Sequence, residues 1–286
     1  MPTLDRHNVT FCTGYWHIQG NTKHNLAHYL KYIPRTCRLI RGNNLILFYE
    51  DDRKFELFKR YAQRYRIKLV GIKIAVTDLP IYSQSKDLLA ACKAMDLDRL
   101  AEVSKEIHRE KGYIHLHRDY LSSGEDNYRK VISIWMSKIP LVVDFAIKQN
   151  PFNTDYFAWV DATISRFSKH RHNWNFMRLG YDRDALFHYK GKMHYQGRQM
   201  NINASFLLAN VNDWQTLHTL FMDKIRESFG RPYAHDEETL LNEILHEHPG
   251  LFHDVGRLSY QSYLDRTKNY FRRLMPLSDA TRRTRP

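Results

Sequence analysis

The order of predicted secondary structure in the N-terminal part of the chain constrains the fold more than any other feature of the sequence. Three short runs of β-branched, aromatic and aliphatic residues alternate with two segments of helical spacing. The runs are NVTFCTGYW (8–16), NLILFYE (44–50) and KLVGIKI (68–74). This order predicts a parallel sheet with helices on both faces, because crossover connections between parallel strands carry a helix over the sheet.

The rest of the chain continues this alternation. Of the two helical segments between the runs, NTKHNLAHYLKYIPR should end at Pro34, and DRKFELFKRYAQRYRI is amphipathic. A helix is predicted over 128–148, with Pro140 kinking it or capping a second piece. DYFAWVD (155–161) and NINASFLLAN (201–210) are predicted strands. Two further helices, around DWQTLHTLFMDKIRESF and DEETLLNEILHEHP, complete a mixed α/β fold.

Residues 79–127 are more polar and less regular than the flanking segments. We interpret them as a helical and loop insert, with one or two surface helices joined near Met95 and a loop at YLSSGEDNY (120–128). The sequence therefore predicts one domain over residues 1–272 that contains this insert, followed by a basic tail, 273–286.

Composition narrows the class of protein. A chain of 286 residues with 43% hydrophobic side chains can bury a large core. Its net charge of +13 favours polyanionic partners, which include nucleic acid, anionic lipid head groups and phosphorylated glycans. The cysteines, Cys12, Cys37 and Cys92, contain no CxxC pair, which predicts neither a disulfide framework nor a zinc site and favours a reducing cytosol. No window reaches the roughly 18 apolar residues of a membrane span, so a soluble protein is expected.

Asp161 is a carboxylate at the end of an apolar, aromatic strand. Ligands of open α/β sheets bind at the carboxyl ends of the strands, where Asp161 should lie. A buried carboxylate is costly unless it is paired with a cation or bound to a metal. Two interpretations stay open, a ligand or metal carboxylate and an N-cap of the following segment ATISRF.

A second acidic motif, HDEE (235–238), opens a helix with apolar periodicity. Acidic residues in a first helical turn complement the helix dipole, and Asp236 is a plausible N-cap with Thr239 at the N3 position. A functional role for the acidic pair Asp236 and Glu237 is the alternative.

Four segments carry a resemblance to a known family. NPFNTDYFAWVDATI, NINASFLLANVNDW, AHDEETLLNEILHEHPGLF and YQSYLDRTKNYF, in this order, resemble the bacterial HtrL/YibB-like family, which is encoded among lipopolysaccharide and surface-glycan genes. That family is similar to nucleotide-sugar glycosyltransferases of the GT-A fold. The resemblance covers about residues 8–48 and 128–272 and implies a GT-A-like fold for the domain.

The resemblance also implies a donor site. Asp161 would hold Mn²⁺ or Mg²⁺ against the diphosphate of a nucleotide sugar, although Thr163 stands where a second aspartate would be. One or two carboxylates with phosphate oxygens and waters are enough for such a cation. His253 would complete the metal shell, or is one of 16 histidines present by chance. Lys138 would neutralise diphosphate charge, or is an exposed helix lysine.

Nucleotide binding is further expected at Thr13, Gly14 and Tyr15, with Tyr15 and Trp16 suited to stacking on a base, although buried core aromatics are commoner. For an inverting transfer, the resemblance makes Asp236 the first choice of base and Glu237 the second. The interleaved basic and aromatic segment SKHRHNWNFMRLGYDRD (168–184) is a candidate acceptor loop or an ordinary solvated loop.

The resemblance, together with these residues, implies a hexosyl- or pentosyltransferase, inverting or retaining. Its donor is a nucleotide sugar, most simply a UDP-sugar, and its acceptor an anionic or lipid-linked glycan precursor of lipopolysaccharide, lipooligosaccharide or capsule. We expect it in the cytoplasm, with the basic tail able to hold it at the inner membrane face. The alternative suggested by the charge is a nucleic-acid-binding protein, or a glycosyltransferase that acts on modified DNA, although the sequence has no zinc-finger spacing or RNP motif.

Overall fold

The computed structural model describes residues 8–20, 26–167 and 184–257, and its centre is a seven-stranded sheet. Its strands are β1 (Val9–Tyr15), β2 (Asn44–Tyr49), β3 (Lys68–Lys73), β4 (Tyr156–Val160), β5 (Leu186–Lys190), β8 (Asn203–Asn210) and β9 (Phe252–Arg257). A small hairpin, β6 (His194–Tyr195) and β7 (Arg198–Gln199), lies outside this sheet. The strand order is β3-β2-β1-β4-β8-β5-β9.

The predicted parallel sheet is confirmed. β1 pairs in parallel with β2 and β4, β2 with β3, and β5 with β9, whereas β8 runs antiparallel to β4 and β5. Within the described residues, β8 is thus the one strand of this sheet that opposes the others. The carboxyl ends of the other six strands therefore meet at one edge of the sheet.

Helices cover both faces of the sheet. The helices are α1 (Leu26–Leu39), α2 (Asp52–Arg64), α3 (Ser85–Lys93), α4 (Leu97–Val103), α5 (Lys111–Ile114), α6 (Glu125–Met136), α7 (Lys138–Pro140), α8 (Val211–Ser228) and α9 (Glu237–Glu247). Alternate residues of β2 lie in two hydrophobic cores. Leu45 belongs to the core that includes residues of α1 and α2, and Ile46 to the core that includes residues of α3, α6, α8 and α9. This period of two is expected of a strand buried on both faces.

The prediction that Pro34 ends the first helix is wrong, because α1 continues to Leu39. Proline removes one backbone hydrogen bond from a helix. Ile33, Cys37 and Ile40 nevertheless pack into the core beneath α1 and α2, with at most 2% of each residue exposed. Burial of this face stabilises the helix beyond the proline.

The segment 79–127 is more ordered than its sequence suggests. Of the one or two surface helices predicted near Met95, the structure forms two, α3 and α4, but α3 is not a surface helix, because Leu88, Leu89 and Cys92 are buried. The predicted loop at YLSSGEDNY is wrong, since a π-helical turn spans His115–Leu121 and α6 begins at Glu125. The hydroxyls of Ser122 and Ser123 donate to carbonyls one turn earlier, and both residues stay helical. Gly124, with φ of 80°, then interrupts the helix before α6 begins.

The predicted long helix before β4 is divided, as its proline suggested, into α6, α7 and a π-helical turn over Leu141–Ile147. Strands β5 and β9 and the β6–β7 hairpin are not evident from the sequence pattern. The candidate acceptor loop, apart from Asp184, and the basic tail lie outside the described residues. Among the helices of the described ranges, none combines the length and apolar character that crossing a membrane requires.

Candidate active site

A cavity of about 340 Å³ opens at the carboxyl ends of β1 and β4. The chain passes from β1 outward to β2 and β3, and later returns to place β4 on the other side of β1. This reversal of strand order is the position where open α/β sheets bind ligands. Cys12 pairs with Trp159, so Gly14 of β1 lies level with Asp161, and both line the cavity. The charged lining residues are Lys111, Arg118, Lys138, Arg166, Asp161, Asp236, Glu237 and Glu238.

Asp161 directly follows β4 and is surrounded by nitrogen donors. Its Oδ1 lies 2.9 Å from Lys138 Nζ and accepts a hydrogen bond from Trp159 Nε1 at 3.0 Å, and its Oδ2 lies 3.5 Å from Arg166 Nη2. Burial opposes ionisation, but Lys138 and Arg166 outweigh it and hold the pKa of the carboxyl well below its ordinary value. Among the described residues, the carboxylate accepts no backbone N–H, so the helix-cap interpretation has no support.

Lys138 connects Asp161 to the acidic motif of α9. Its Nζ lies 2.9 Å from Asp161 Oδ1 and 2.7 Å from Glu237 Oε1, and only 8% of the side chain is exposed. This burial excludes the exposed-lysine interpretation. Burial lowers the pKa of an ammonium, but the two carboxylates outweigh it, so the Lys138 pKa is raised and the side chain stays charged.

Asp236 caps α9, as predicted. Its Oδ1 accepts the Thr239 N–H at 2.9 Å, and Thr239 Oγ1 accepts the Asp236 N–H at 3.2 Å, which completes a capping box. Its Oδ2 lies 2.6 Å from Lys111 Nζ and 2.8 Å from His115 Nε2. Burial opposes ionisation here too, but Lys111 and His115 hold the pKa of Asp236 well below its ordinary value.

Glu237 is in a different electrostatic environment from its neighbour. Within the described residues, its carboxylate has one polar partner, Lys138. Burial raises the pKa of Glu237. Lys138 opposes this shift, and the neighbouring charges of Asp236 and Glu238 add to it, so that the pKa stays above its ordinary value. A carboxylate with a raised pKa beside a cavity is suited to accepting a proton.

The insert supplies one side of the cavity, which sequence reasoning did not foresee. Lys111 Nζ lies 2.6 Å from Asp236 Oδ2 and 2.5 Å from Glu238 Oε2, with 12% of its side chain exposed. His115 bonds Asp119 through Nδ1 at 2.7 Å and is thereby oriented toward α9. In the sequence, this contact was indicated only by the spacing of His115 and Asp119, which lie four residues apart on a helical segment.

The predicted nucleotide-binding residues of β1 separate into two groups. Gly14 and Trp16 line the cavity. Thr13 and Tyr15 point to the other face of the sheet, where Tyr15 packs against Tyr29 with ring centroids 4.4 Å apart. Thr13 Oγ1 is buried and has no hydrogen-bond partner in the described part of the chain.

His253 lies on β9, at the edge of the sheet, and its ring contacts that of Phe187 at 5.2 Å. Two strands, β8 and β5, separate β9 from β4, which corresponds to about 14 Å across the sheet. The structure therefore does not bring His253 to Asp161 or to the cavity.

The donor set around Asp161 does not fit a divalent cation. The described residues contain no group of three or more His, Cys, Asp or Glu side chains that could hold a metal ion. Thr163 Oγ1, at the position of a second aspartate, accepts a hydrogen bond from Arg166, which also contacts Asp161. Mg²⁺ and Mn²⁺ prefer open oxygen ligands, and these oxygens face cationic side chains instead.

Comparison with known proteins supports the fold assignment. Core-mannan synthase A (CmsA/Ktr4) from Aspergillus fumigatus, in a Mn/GDP form, matches with a TM-score of 0.50 and 11% identity over 90% of this chain and 74% of that one. Mouse xyloside xylosyltransferase 1 matches with a TM-score of 0.44 and 13% identity, over 87% and 84% of the two chains.

The glycosyltransferase GlyE from Streptococcus pneumoniae TIGR4 gives a TM-score of 0.44 and 11% identity, and this chain spans 45% of its length. No family model and no curated protein matches the sequence. The GT-A-like α/β fold is thus confirmed, and membership of the HtrL/YibB-like family stays a prediction.

Proposed function

We propose that this chain is a glycosyltransferase that moves a sugar from a nucleotide-diphosphate donor to an anionic glycan acceptor. The observation that carries the proposal is Asp161, which follows the strand beside the topological switch point and faces a cavity between two cationic side chains. Phosphate-bearing ligands favour that edge of an α/β sheet. Core-mannan synthase A, which has a similar fold and was solved with Mn and GDP, supports a nucleotide donor.

In this proposal the donor lies between β1 and the start of α7. Its diphosphate faces Lys138 and Arg166, and its base stacks near Trp16. A Cβ at Gly14 would come within 2.3 Å of the Trp16 ring, so a side chain at this position would displace the indole. Glycine is therefore required for Trp16 to line the cavity. A UDP-hexose or UDP-pentose is the simplest donor.

Glu237 is the proposed base. In an inverting transfer it accepts the proton of the acceptor hydroxyl as that oxygen attacks the anomeric carbon. The bond from the anomeric carbon to the diphosphate oxygen breaks, and the nucleoside diphosphate leaves with the bonding electrons. The sequence favoured Asp236 over Glu237, but the contacts favour the reverse order. Asp236 is held by Lys111, His115 and Thr239, whereas Glu237 has a raised pKa.

The acceptor is proposed to be a lipopolysaccharide, lipooligosaccharide or capsule precursor. The net charge of +13 supports an anionic acceptor and a location at the cytoplasmic face of a membrane, to which the basic tail would bind. The predicted Mn²⁺ or Mg²⁺ has one supporting observation, the Mn in the core-mannan synthase A structure, and the donor set around Asp161 argues against it.

A thermal-shift panel of UDP-, GDP-, CMP- and dTDP-sugars tests the donor class. A donor at about 100 times its dissociation constant should stabilise the chain by roughly 2.7 kcal/mol. Arg166→Met should remove most of this stabilisation and leave the protein folded, because Arg166 faces the proposed diphosphate. Arg226→Met is the matched control, because Arg226 is 65% exposed and pairs with Asp223 outside the cavity.

Two results would contradict the proposal. The first is equal stabilisation of the parent and the Arg166→Met variant. The second is a chain that responds to no nucleotide sugar but shifts plain duplex DNA in a salt-sensitive gel assay, which is the behaviour of a nucleic-acid-binding protein.

A further inference from the structure

The space between Asp161 and Glu237 contains a side-chain ammonium. Lys138 Nζ lies within 2.9 Å of both carboxylates and is almost fully buried. The junction that carries it is anchored, because the adjacent Ser137 Oγ accepts the Ile81 N–H at 3.2 Å. Lys138 is therefore held between the carboxylates by the fold.

Arg166 binds both polar positions of the shortened acidic motif. Its guanidinium contacts Asp161 Oδ2 at 3.5 Å, donates to the Thr163 hydroxyl, and donates to Ser205 Oγ at 3.2 Å. The side chain is 22% exposed and lines the cavity, so it also reaches a ligand placed there. Thr163, at the position of a second aspartate, thus accepts a hydrogen bond from a cationic side chain.

A divalent cation at Asp161 would be close to a like charge. At an ordinary ligand distance of 2.0 to 2.6 Å from Oδ1, it would lie at most about 5.5 Å from the Lys138 ammonium. Repulsion between two cations at that distance in a largely buried site is strong. Lys138 and Arg166 together provide the two positive charges that such a cation would bring to a diphosphate.

We infer that Lys138 and Arg166 neutralise the donor's diphosphate in this chain and that nucleotide binding needs no divalent cation. The inference rests on the proposed function, since it concerns how the same site holds the donor. It assigns to Lys138 the position of a metal ion between Asp161 and Glu237, and to Lys138 and Arg166 together the two positive charges of that ion.

Two measurements on the full chain test this inference directly. Titration with Mn²⁺ alone, followed by the paramagnetic resonance of the free ion, should show a dissociation constant above about 1 mM. Calorimetric affinities for UDP and GDP in excess EDTA and in Mn²⁺ should agree within about twofold, because a cation that does not bind cannot couple to the nucleotide.

Substitutions of Lys138 test whether its ammonium is the group that takes the place of the cation. Lys138→Met should weaken UDP or GDP binding in EDTA by about 30-fold or more. It should also strengthen Mn²⁺ binding by about tenfold or more, since Asp161 and Glu237 then lose the ammonium that lies between them. Lys148→Met is the control, because Lys148 is 67% exposed and pairs with Asp144 away from the cavity. Lys138→Gln replaces Lys138→Met if the latter does not fold.

The possible failures are distinguishable. Micromolar Mn²⁺ binding that Asp161→Asn abolishes, or nucleotide binding that EDTA removes and Mn²⁺ restores, overturns the inference and leaves the proposed function standing. Unchanged nucleotide affinity in both Lys138 variants overturns it as well. A chain that binds no nucleoside diphosphate in either condition overturns the proposed function and the inference together.

Discussion

Two buried lysines pair with the acidic residues at the start of α9, and the difference between them separates a saturated cluster from one with unused acceptor capacity. Asp236 and Glu238 bind Lys111 of the insert, while Glu237, between them, binds Lys138. Each ammonium thus lies between two carboxylates, and neither lysine side chain is more than 12% exposed. The geometry of the two clusters is similar, but their remaining contacts differ.

The Lys111 cluster is saturated with additional partners. Asp236 also accepts from Thr239 and contacts His115, and Glu238 Oε1 accepts the Ala204 N–H at 3.0 Å. In the described residues, Glu237 has no polar partner besides Lys138. A saturated buried network stabilises the fold, whereas acceptor capacity beside a cavity is available to a ligand.

The largest expected effect is on the transfer rate. Glu237→Gln should lower it by about 100- to 10,000-fold with nucleotide affinity nearly unchanged, because a base acts in the transition state. Asp236→Asn should lower it by less than about tenfold, because Asp236 already accepts from three donors. Rates and affinities are compared under conditions in which circular dichroism shows both variants folded. Equal rates for parent and Glu237→Gln would assign the base elsewhere.

The free energy of unfolding should depend more on the Lys111 cluster than on the Lys138 cluster. Lys111→Met leaves two buried carboxylates without their cation and should cost about 3–5 kcal/mol of unfolding free energy. Lys138→Met should cost less, because Asp161 keeps Arg166 and Glu237, with its raised pKa, takes up a proton. Urea unfolding with its m-value measures both. A greater loss in Lys138→Met than in Lys111→Met would break the distinction between the clusters.

The smallest effect expected is a shift in the pH midpoint of the transfer rate. Glu237 acts as a base when ionised, so the rate should rise with pH through a midpoint above its ordinary carboxyl value of 4.5, and Glu237→Gln should lose this limb. The pKa of Asp236 is shifted in the opposite direction, and this shift affects stability. Because its folded pKa is lowered, the contribution of Asp236 to stability is present above 3.8 and is lost as pH falls through the folded value. A rate profile with its acid midpoint at or below 4.5 contradicts the role of Glu237.

Local patterns predicted much of the fold. The strands β1 to β4 and β8 follow from apolar runs, and the cap of α9 follows from Asp236 and Thr239. The GT-A-like class itself came from a resemblance, and the structural comparison confirmed it. Strands β5 (LFHYK) and β9 (FHDVGR) were missed because polar and charged residues interrupt their apolar pattern and because each is stabilised by pairing with other segments of the chain.

The sequence by itself placed Asp161 at the end of a strand and the pair Asp236 and Glu237 at the start of a helix. Only the tertiary structure decided which cation faces each of them. Lys111 and Asp236 are 125 residues apart in the chain, and their contact depends on the packing of the insert against α9. Spacing rules reach only one helical turn or one strand pair, whereas the ionisation of a buried carboxyl depends on every charge within a few ångströms.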